Sequence, residues 1–245
     1  SRSASRRGAG VGMLVGAIVA FIFNIPAAWV AQGVASASNQ RLLLADARGT
    51  LWSGSATAVL TGGPQSRDAS ALPGRLEWTL AVRGYGFELH AQHVCCLNGS
   101  MAVQVRPGIG KLAFTLLPSP GWIGQWPSSW LAGLGTPWNT LQLGGAVRLL
   151  SPGMRIEAVQ GRWRMDGRAD VELLGVSSRM TTLNTLGSYR MSISGDPAQG
   201  SVPRLRLSTQ QGALQLSGEG SLGPSGLSFR GEARAEAADE PALNN

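Results

Sequence analysis

A chain of 245 residues, 34 of them glycine and only 14% charged, has room for one large domain or two small ones and excludes a long, charged coiled coil. Its net charge of +7 falls to +4 once Arg2, Arg6 and Arg7 are set aside, and the other basic residues are scattered arginines with Lys111 the single lysine. No basic stripe of the kind that tracks a phosphate backbone is present, so no nucleic-acid partner is expected.

The first element is the stretch Gly8 to Gln40, which contains no charged residue. Its apolar heart begins at Val11 and runs past Phe23 through Ile25, Pro26 and Trp29. A bilayer core needs about 20 mostly apolar residues in helical form, so the pattern predicts a transmembrane helix over 11–31. The arginines on its N-terminal side predict that residues 1–10 stay in the cytoplasm and that the bulk of the chain is periplasmic, anchored in a bacterial inner membrane. Val34-Ala35-Ser36-Ala37 offers a signal-peptidase site, but a cleaved signal has an apolar region of only about 7–15 residues. The longer run favours a retained anchor, followed by a small and polar linker over 32–40.

A first β half is predicted over 41–106. Leu42 to Leu60 reads as two short strands about a glycine turn, and 61–71 as an exposed loop. Leu76, Trp78, Leu80 and Val82 alternate with polar residues, as do Phe87, Leu89 and Ala91 and then Met101, Val103 and Val105. Asn98-Gly99 between the last two sets is a strong hairpin signal. Residues 107–140 break the pattern with five prolines and four tryptophans. Trp122, Trp126 and Trp130 have helical spacing, but Pro127 limits any helix to a short one beginning near that proline. This segment is read as a crossover.

Alternation returns over 141–234, a second β half, with further strands expected at 189–194, 204–208, 212–217 and 227–233. A flexible tail is expected over 235–245. Gly161 to Ala169 weakly echoes Gly49 to Ala56, each with a tryptophan followed by Gly-x-Ala, and this predicts that Trp52 and Trp163 are buried at matching places. The fold class is therefore mainly β: an N-terminal transmembrane helix, then an antiparallel sheet-rich periplasmic domain, curved sheet or sandwich, of two weakly similar halves.

Chemistry is sparse. His90, His93, Cys95 and Cys96 form the one ligand-like cluster, but on a strand His90 and His93 face opposite ways, and His93 shares a face with Cys95 and not Cys96. No metal is expected on that reading. The adjacent cysteines fit either a vicinal disulfide or two thiols on opposite strand faces. There is no nucleophile elbow, P-loop or zinc-protease motif, and the carboxylates are scattered. No enzyme activity and no cofactor are expected. The tryptophans and glycines read as packing and turn positions rather than a ligand surface.

Several segments nevertheless form a pattern. Ile25-Pro26-Ala27 followed by Gly49-Thr50-Leu51-Trp52-Ser53-Gly54, then Leu134 to Leu141 with Pro137, Leu186-Gly187-Ser188-Tyr189-Arg190, and Gly212 to Gly218 resemble protein N of the type II secretion system (GspN). The resemblance implies an accessory inner-membrane component of the machine that moves folded proteins out through a secretin. It also implies partners among the other secretion components, namely the secretin and the inner-membrane protein that links to it, and no catalytic residues. The Cys95-Cys96 pair departs from it. Absent that role, a periplasmic carrier of lipid or another apolar ligand is the alternative.

Overall fold

The computed structural model describes residues 2–159, 162–180, 183–196, 202–223 and 226–235, with the backbone alone for 2–12 and Arg162. Helix α1 (Arg2–Phe23) leads into helix α2 (Ala27–Ala37). Fourteen strands follow: β1 (Leu42–Gly49), β2 (Ser53–Thr61), β3 (Ala69–Ala71), β4 (Leu76–Arg83), β5 (Gly86–His93), β6 (Ser100–Gly108), β7 (Lys111–Leu116), β8 (Trp122–Pro127), β9 (Gly144–Val159), β10 (Arg162–Ser177), β11 (Gly187–Gly195), β12 (Arg204–Gln211), β13 (Leu214–Gly223) and β14 (Gly226–Ala235). A 3₁₀ helix (Ser128–Leu134) and a one-turn helix α3 (Trp138–Leu141) lie between β8 and β9.

The predicted helix over 11–31 is not one helix. It breaks at 24–26, where Pro26 is extended with ψ 146° and lacks an N–H for the previous turn. Asn24 donates its side-chain amide to the Ala20 carbonyl and caps the end of α1 at 2.7 Å. Among the described residues no helix is long and apolar enough to cross a membrane. Nor is 32–40 a linker: α2 turns onto the sheet, and Ala27, 1% exposed, packs with Leu44, Ala56 and Trp78. Val30, Ala31 and Val34 flank that cluster. These small side chains let the helix approach a strand closely, which the sequence pattern mistakes for membrane or linker.

All strand pairings are antiparallel, and they join into one sheet in the order β1-β2-β4-β5-β6-β7-β9-β10-β11-β12-β13-β14, with β3 beside β2 and β8 beside β9. The crossover at 107–140 thus contributes β7 and β8 to a sheet that runs through both expected halves. The 16-residue β9 explains this, since its end near Val159 pairs with β7 and its beginning near Val147 pairs with β8. Pro152 and Gly153, a turn signal by composition, sit inside β9, where the register against β10 shifts. The β5–β6 hairpin forms, but Gln92 faces Ser100, so Asn98-Gly99 ends a longer loop instead of making a two-residue turn. The expected short helix after Pro127 is the 3₁₀ segment, whereas Trp122 and Trp126 belong to β8. The tail expected at 235–245 lies, beyond Ala235, outside the described residues.

Alternation gives the sheet two unlike faces. On one, Leu89, Val103, Phe114, Ile156, Met191 and Leu207 recur across the strands. The other holds Arg148, Glu172 and Arg190 directly opposite one another, with Gln125 accepting from Arg148 at 2.9 Å. Helix α2 covers the apolar face at β1 and β2, while the 3₁₀ helix joins β2 and β3 to β8 and β9, with the Trp130 indole donating to the Ser70 carbonyl at 2.9 Å.

The expected symmetry of Trp52 and Trp163 fails. Trp163 is 63% exposed, because its register partner Ala158 lies at the rim of the sheet, where no helix covers it. Trp52 is half-buried, and the fully buried indole is Trp78. Trp78→Ala is expected to cost about 3–5 kcal/mol, the range for a buried large aromatic, and Trp163→Ala to stay within about 0.5 kcal/mol of wild type. Urea unfolding of the two variants checks the contrast; equal losses would mean that the indoles are equivalent after all.

Candidate functional site

The residues singled out in the sequence form two clasps in the backbone. The first gathers Pro26 and Gly49, Thr50, Leu51, Trp52 and Gly54. Pro26 makes a β-bridge with Thr50, and Leu51 donates its N–H to the Ile25 carbonyl at 2.8 Å. The Trp52 indole donates to the Ile22 carbonyl at 2.9 Å, and its ring lies 5.9 Å from that of Phe23 and 6.4 Å from that of Phe87. The helix break is thereby tied to the β1–β2 turn. Thr50 closes that turn by donating its N–H to the Ser53 carbonyl at 2.8 Å.

Glycine is required at two points of the clasp. Gly49, Gly54 and Trp78 are consecutive register partners. A Cβ on Gly54 would stand 2.5 Å from Trp78 Cζ2, and Gly49 has φ +88° with the Ser53 carbonyl 2.5 Å from where its Cβ would be. Trp78 fills the space and donates its indole N–H to the Leu51 carbonyl at 3.2 Å. Nearby, hydrogen bonds from Arg48 and then Arg75 hold the Asp46 carboxyl below its ordinary pKa.

The second clasp joins Gly187 and Tyr189 on β11 to Gly212 and Leu214. Gly212 has φ +131° and lies so close to Gly187 that a Cβ there would overlap the neighbouring backbone. Leu214 donates its N–H to the Leu186 carbonyl at 3.1 Å, and the Tyr189 hydroxyl donates to the Leu214 carbonyl at 3.1 Å. Burial of Tyr189, 4% exposed, pushes its phenol pKa up and keeps it a neutral donor. Pro137 stands apart from both clasps, at a cis peptide bond after Thr136 that begins α3.

Neither clasp holds a nucleophile beside a base or a pair of facing carboxylates, so what they do chemically is to fix backbones against one another. Sequence spacing alone had missed two sites. One is the outer edge of β14: among the described residues no strand pairs beyond it, and Gly226 to Arg234 are all exposed. The hydrophobic alternation of β13 and β14 signalled strands, but not which would be last. The other is the β5–β6 loop. There His93, Cys95 and Cys96 place their ligand atoms within 4.8 Å of one another, although strand geometry had separated them. His93 ends the strand, and Cys96 and Leu97 both donate their N–H groups to its carbonyl at 3.2 Å, so the chain coils and brings the third residue back over the first. Cys95 and Cys96 are joined in a disulfide. His90 turns to the other face and bonds Glu88 at 2.7 Å.

Residues 40–245 match the family model for type II secretion system protein N. The chain belongs to that family. The match begins at the strand end of the α2–β1 connection and includes the Gly49–Gly54 side of the first clasp and the whole of the second, while α1, Pro26 and α2 precede it. No curated protein and no solved structure matches the chain. An accessory role in type II secretion and partners among its components follow from the family.

The second clasp makes the first test of family-motif residues as structural ones. Gly212→Ala is expected to destabilise the protein by about 1–3 kcal/mol, because φ +131° is strained for alanine and the Gly187 backbone must move. Gly223→Ala, where a Cβ meets nothing within 4 Å, is the matched control and should stay within about 1 kcal/mol of wild type. Thermal melts of both decide; a silent Gly212→Ala would show that the two glycines do not need their close approach.

Proposed function

We propose that this protein is an inner-membrane subunit of a type II secretion machine that docks, through the open β14 edge of its sheet, on the periplasmic part of the secretin or of the inner-membrane protein linked to it. The observation behind this reading is β14 itself, ten residues with every side chain but the last exposed and one row of backbone groups without a strand partner among the described residues. Such an edge accepts an added strand, with main-chain hydrogen bonds giving affinity and alternate side chains giving selectivity. Arg230, Glu232 and Arg234 alternate in sign along it and would favour a partner segment of alternating charge. The output is contact rather than turnover, in keeping with the absence of a catalytic constellation among the described residues.

The membrane part of the proposal rests on α1. Met13, Leu14, Val15, Ile18, Phe21 and Phe23 are all at least 49% exposed, an apolar surface that water does not favour. Arg2, Arg6 and Arg7 precede it, the charge arrangement of a segment whose N-terminus stays cytoplasmic. The first clasp would then hold the sheet against the membrane surface.

A second reading, a carrier of lipid or another apolar ligand, draws on a specific observation. Val103, Phe114, Ile156 and Leu207 on the apolar face beyond β5 are only half-buried, although Met165 beside Ile156 is buried, and substantial helix packing ends at β9. An open apolar face of that length accommodates an acyl chain.

In-cell photocrosslinking separates the two. Probes at Ser228 and Arg230 on β14 are expected to trap secretin or inner-membrane secretion proteins, and a probe at Thr79, on the polar face near the opposite end, to trap neither. Lipid adducts alone, from probes at Phe114 and Leu207, would replace docking with the carrier. Fractionation tests the anchor: the protein should sediment with inner membranes and resist carbonate extraction, whereas a soluble periplasmic form would remove it.

A further inference from the structure

We propose that His93, Cys95 and Cys96 form a redox-gated site for a thiophilic cation, Zn(II) or Cu(I), which binds when the vicinal disulfide is reduced. Two independent observations support it. The first is the convergence of one imidazole nitrogen and two sulfurs within 4.8 Å. The second is His93 itself, which is 5% exposed while neither ring nitrogen has a hydrogen-bond partner. A buried polar group left unpaired costs roughly 1–3 kcal/mol, and a cation on the ring would satisfy one of these nitrogens.

The loop is already shaped for the task. The Cys96 carbonyl accepts from Gln125 N–H at 2.8 Å, Leu97 bridges to Gly124, and Asn98 donates its N–H to the Ile123 carbonyl at 2.9 Å. These bonds stitch the loop to β8 whatever the state of the sulfurs. Cys96 is 3% exposed and packs beside Ala58 and Leu72, whereas Cys95 is exposed. A dithiol donor can therefore reach the disulfide from the Cys95 side. A recess lined by Arg75, Glu77, Gln92 and Gly99 leads to His93 from solvent.

The exchange balances as follows. A dithiol donor gives two electrons and two protons to the Cys95–Cys96 bond and leaves as its own disulfide. The two resulting thiols lose two protons as their thiolates bind the cation, and the His93 ring nitrogen supplies the third donor. Thiolates select Cu(I) and Zn(II) among biological cations. Three protein donors leave a fourth position on zinc for water or a partner's ligand.

Anaerobic titration of the full chain tests the site. Protein reduced with a phosphine and then freed of it is expected to take one equivalent of Zn(II) or Cu(I) in competition with a chromophoric chelator. The oxidised protein is expected to take none. Co(II) as a probe should give a thiolate charge-transfer band in the reduced wild type. His93→Ala and Cys96→Ser should bind about 100-fold more weakly or worse, beyond what loss of a supporting hydrogen bond costs a metal site. The exposed Cys95→Ser provides a variant with little risk to folding and should lose the band as well. Failure of the reduced wild type to bind would overturn the proposal. So would equal binding by the oxidised protein, or a wild-type affinity and band in folded His93→Ala.

Discussion

The close approach of Gly54 to the Trp78 indole is the contact on which the N-terminal architecture depends. With no side chain at Gly54, the indole lies against it and is buried, and its N–H reaches the Leu51 carbonyl. Its apolar surface, with Leu44 and Ala56, is the floor on which Ala27 of α2 sits. The same turn gives Trp52 its bond to Ile22 and Leu51 its bond to Ile25. Any residue larger than glycine at 54 would push Trp78 away and lift α2 from the sheet. The helical stem and the sheet would then lose their fixed relation.

Beyond the clasp, one sheet has to close or cover its own edges and faces. At the β1 end it does so with α2, and around β2, β3, β8 and β9 with the 3₁₀ helix, whose Trp130 stacks 6.4 Å from Trp126 and bonds β3. The far end, β10 to β14, has no such helix cover among the described residues. Its polar face is held by charges in register, Glu172 between Arg148 and Arg190, and Arg206 bonded to Glu219 at 2.7 Å. Cross-strand pairs of this kind are worth only about 0.2–1 kcal/mol each, so the apolar burial of Met165, Ala169, Val176 and Tyr189 on β10 and β11 contributes more there. A sheet covered by helices at one end and with an unpaired outer strand, among the described residues, at the other is suited to presenting β14 to another chain.

The family resemblance was legible because the backbone leaves little choice at a few places. Gly49, Gly54, Gly187 and Gly212 stand where a Cβ would collide, and Pro26 and Trp52 sit at the one junction between helix and sheet. Such positions are forced by geometry, and they stand out as short motifs against the generic alternation of the rest of the chain. The candidate docking edge left no motif, because an exposed strand needs only alternation and backbone. The loop with His93 was misjudged because strand parity was extended past the strand's end.

By itself the sequence determined most of the strands, since period-2 alternation decides which side chains can share a face, but β3, β7 and β8 lie in stretches that read as loop or crossover, and Pro152-Gly153, a turn signal, lies inside β9. The sequence also determined the short helix after Pro127 and the secretion family, whereas the break at Pro26 emerged only in the structure. The tertiary structure alone decided that α2 belongs to the domain core, because small side chains are equally compatible with a membrane, a linker or a tight helix–sheet contact until Trp78 provides the surface. It decided that β9 serves two neighbours, that Trp163 is at a rim while Trp78 is buried, and that β14 is the outermost strand among the described residues. These are all matters of which strand lies beside which, and local pattern contains no information on that because pairing partners are chosen by contacts distant in the chain.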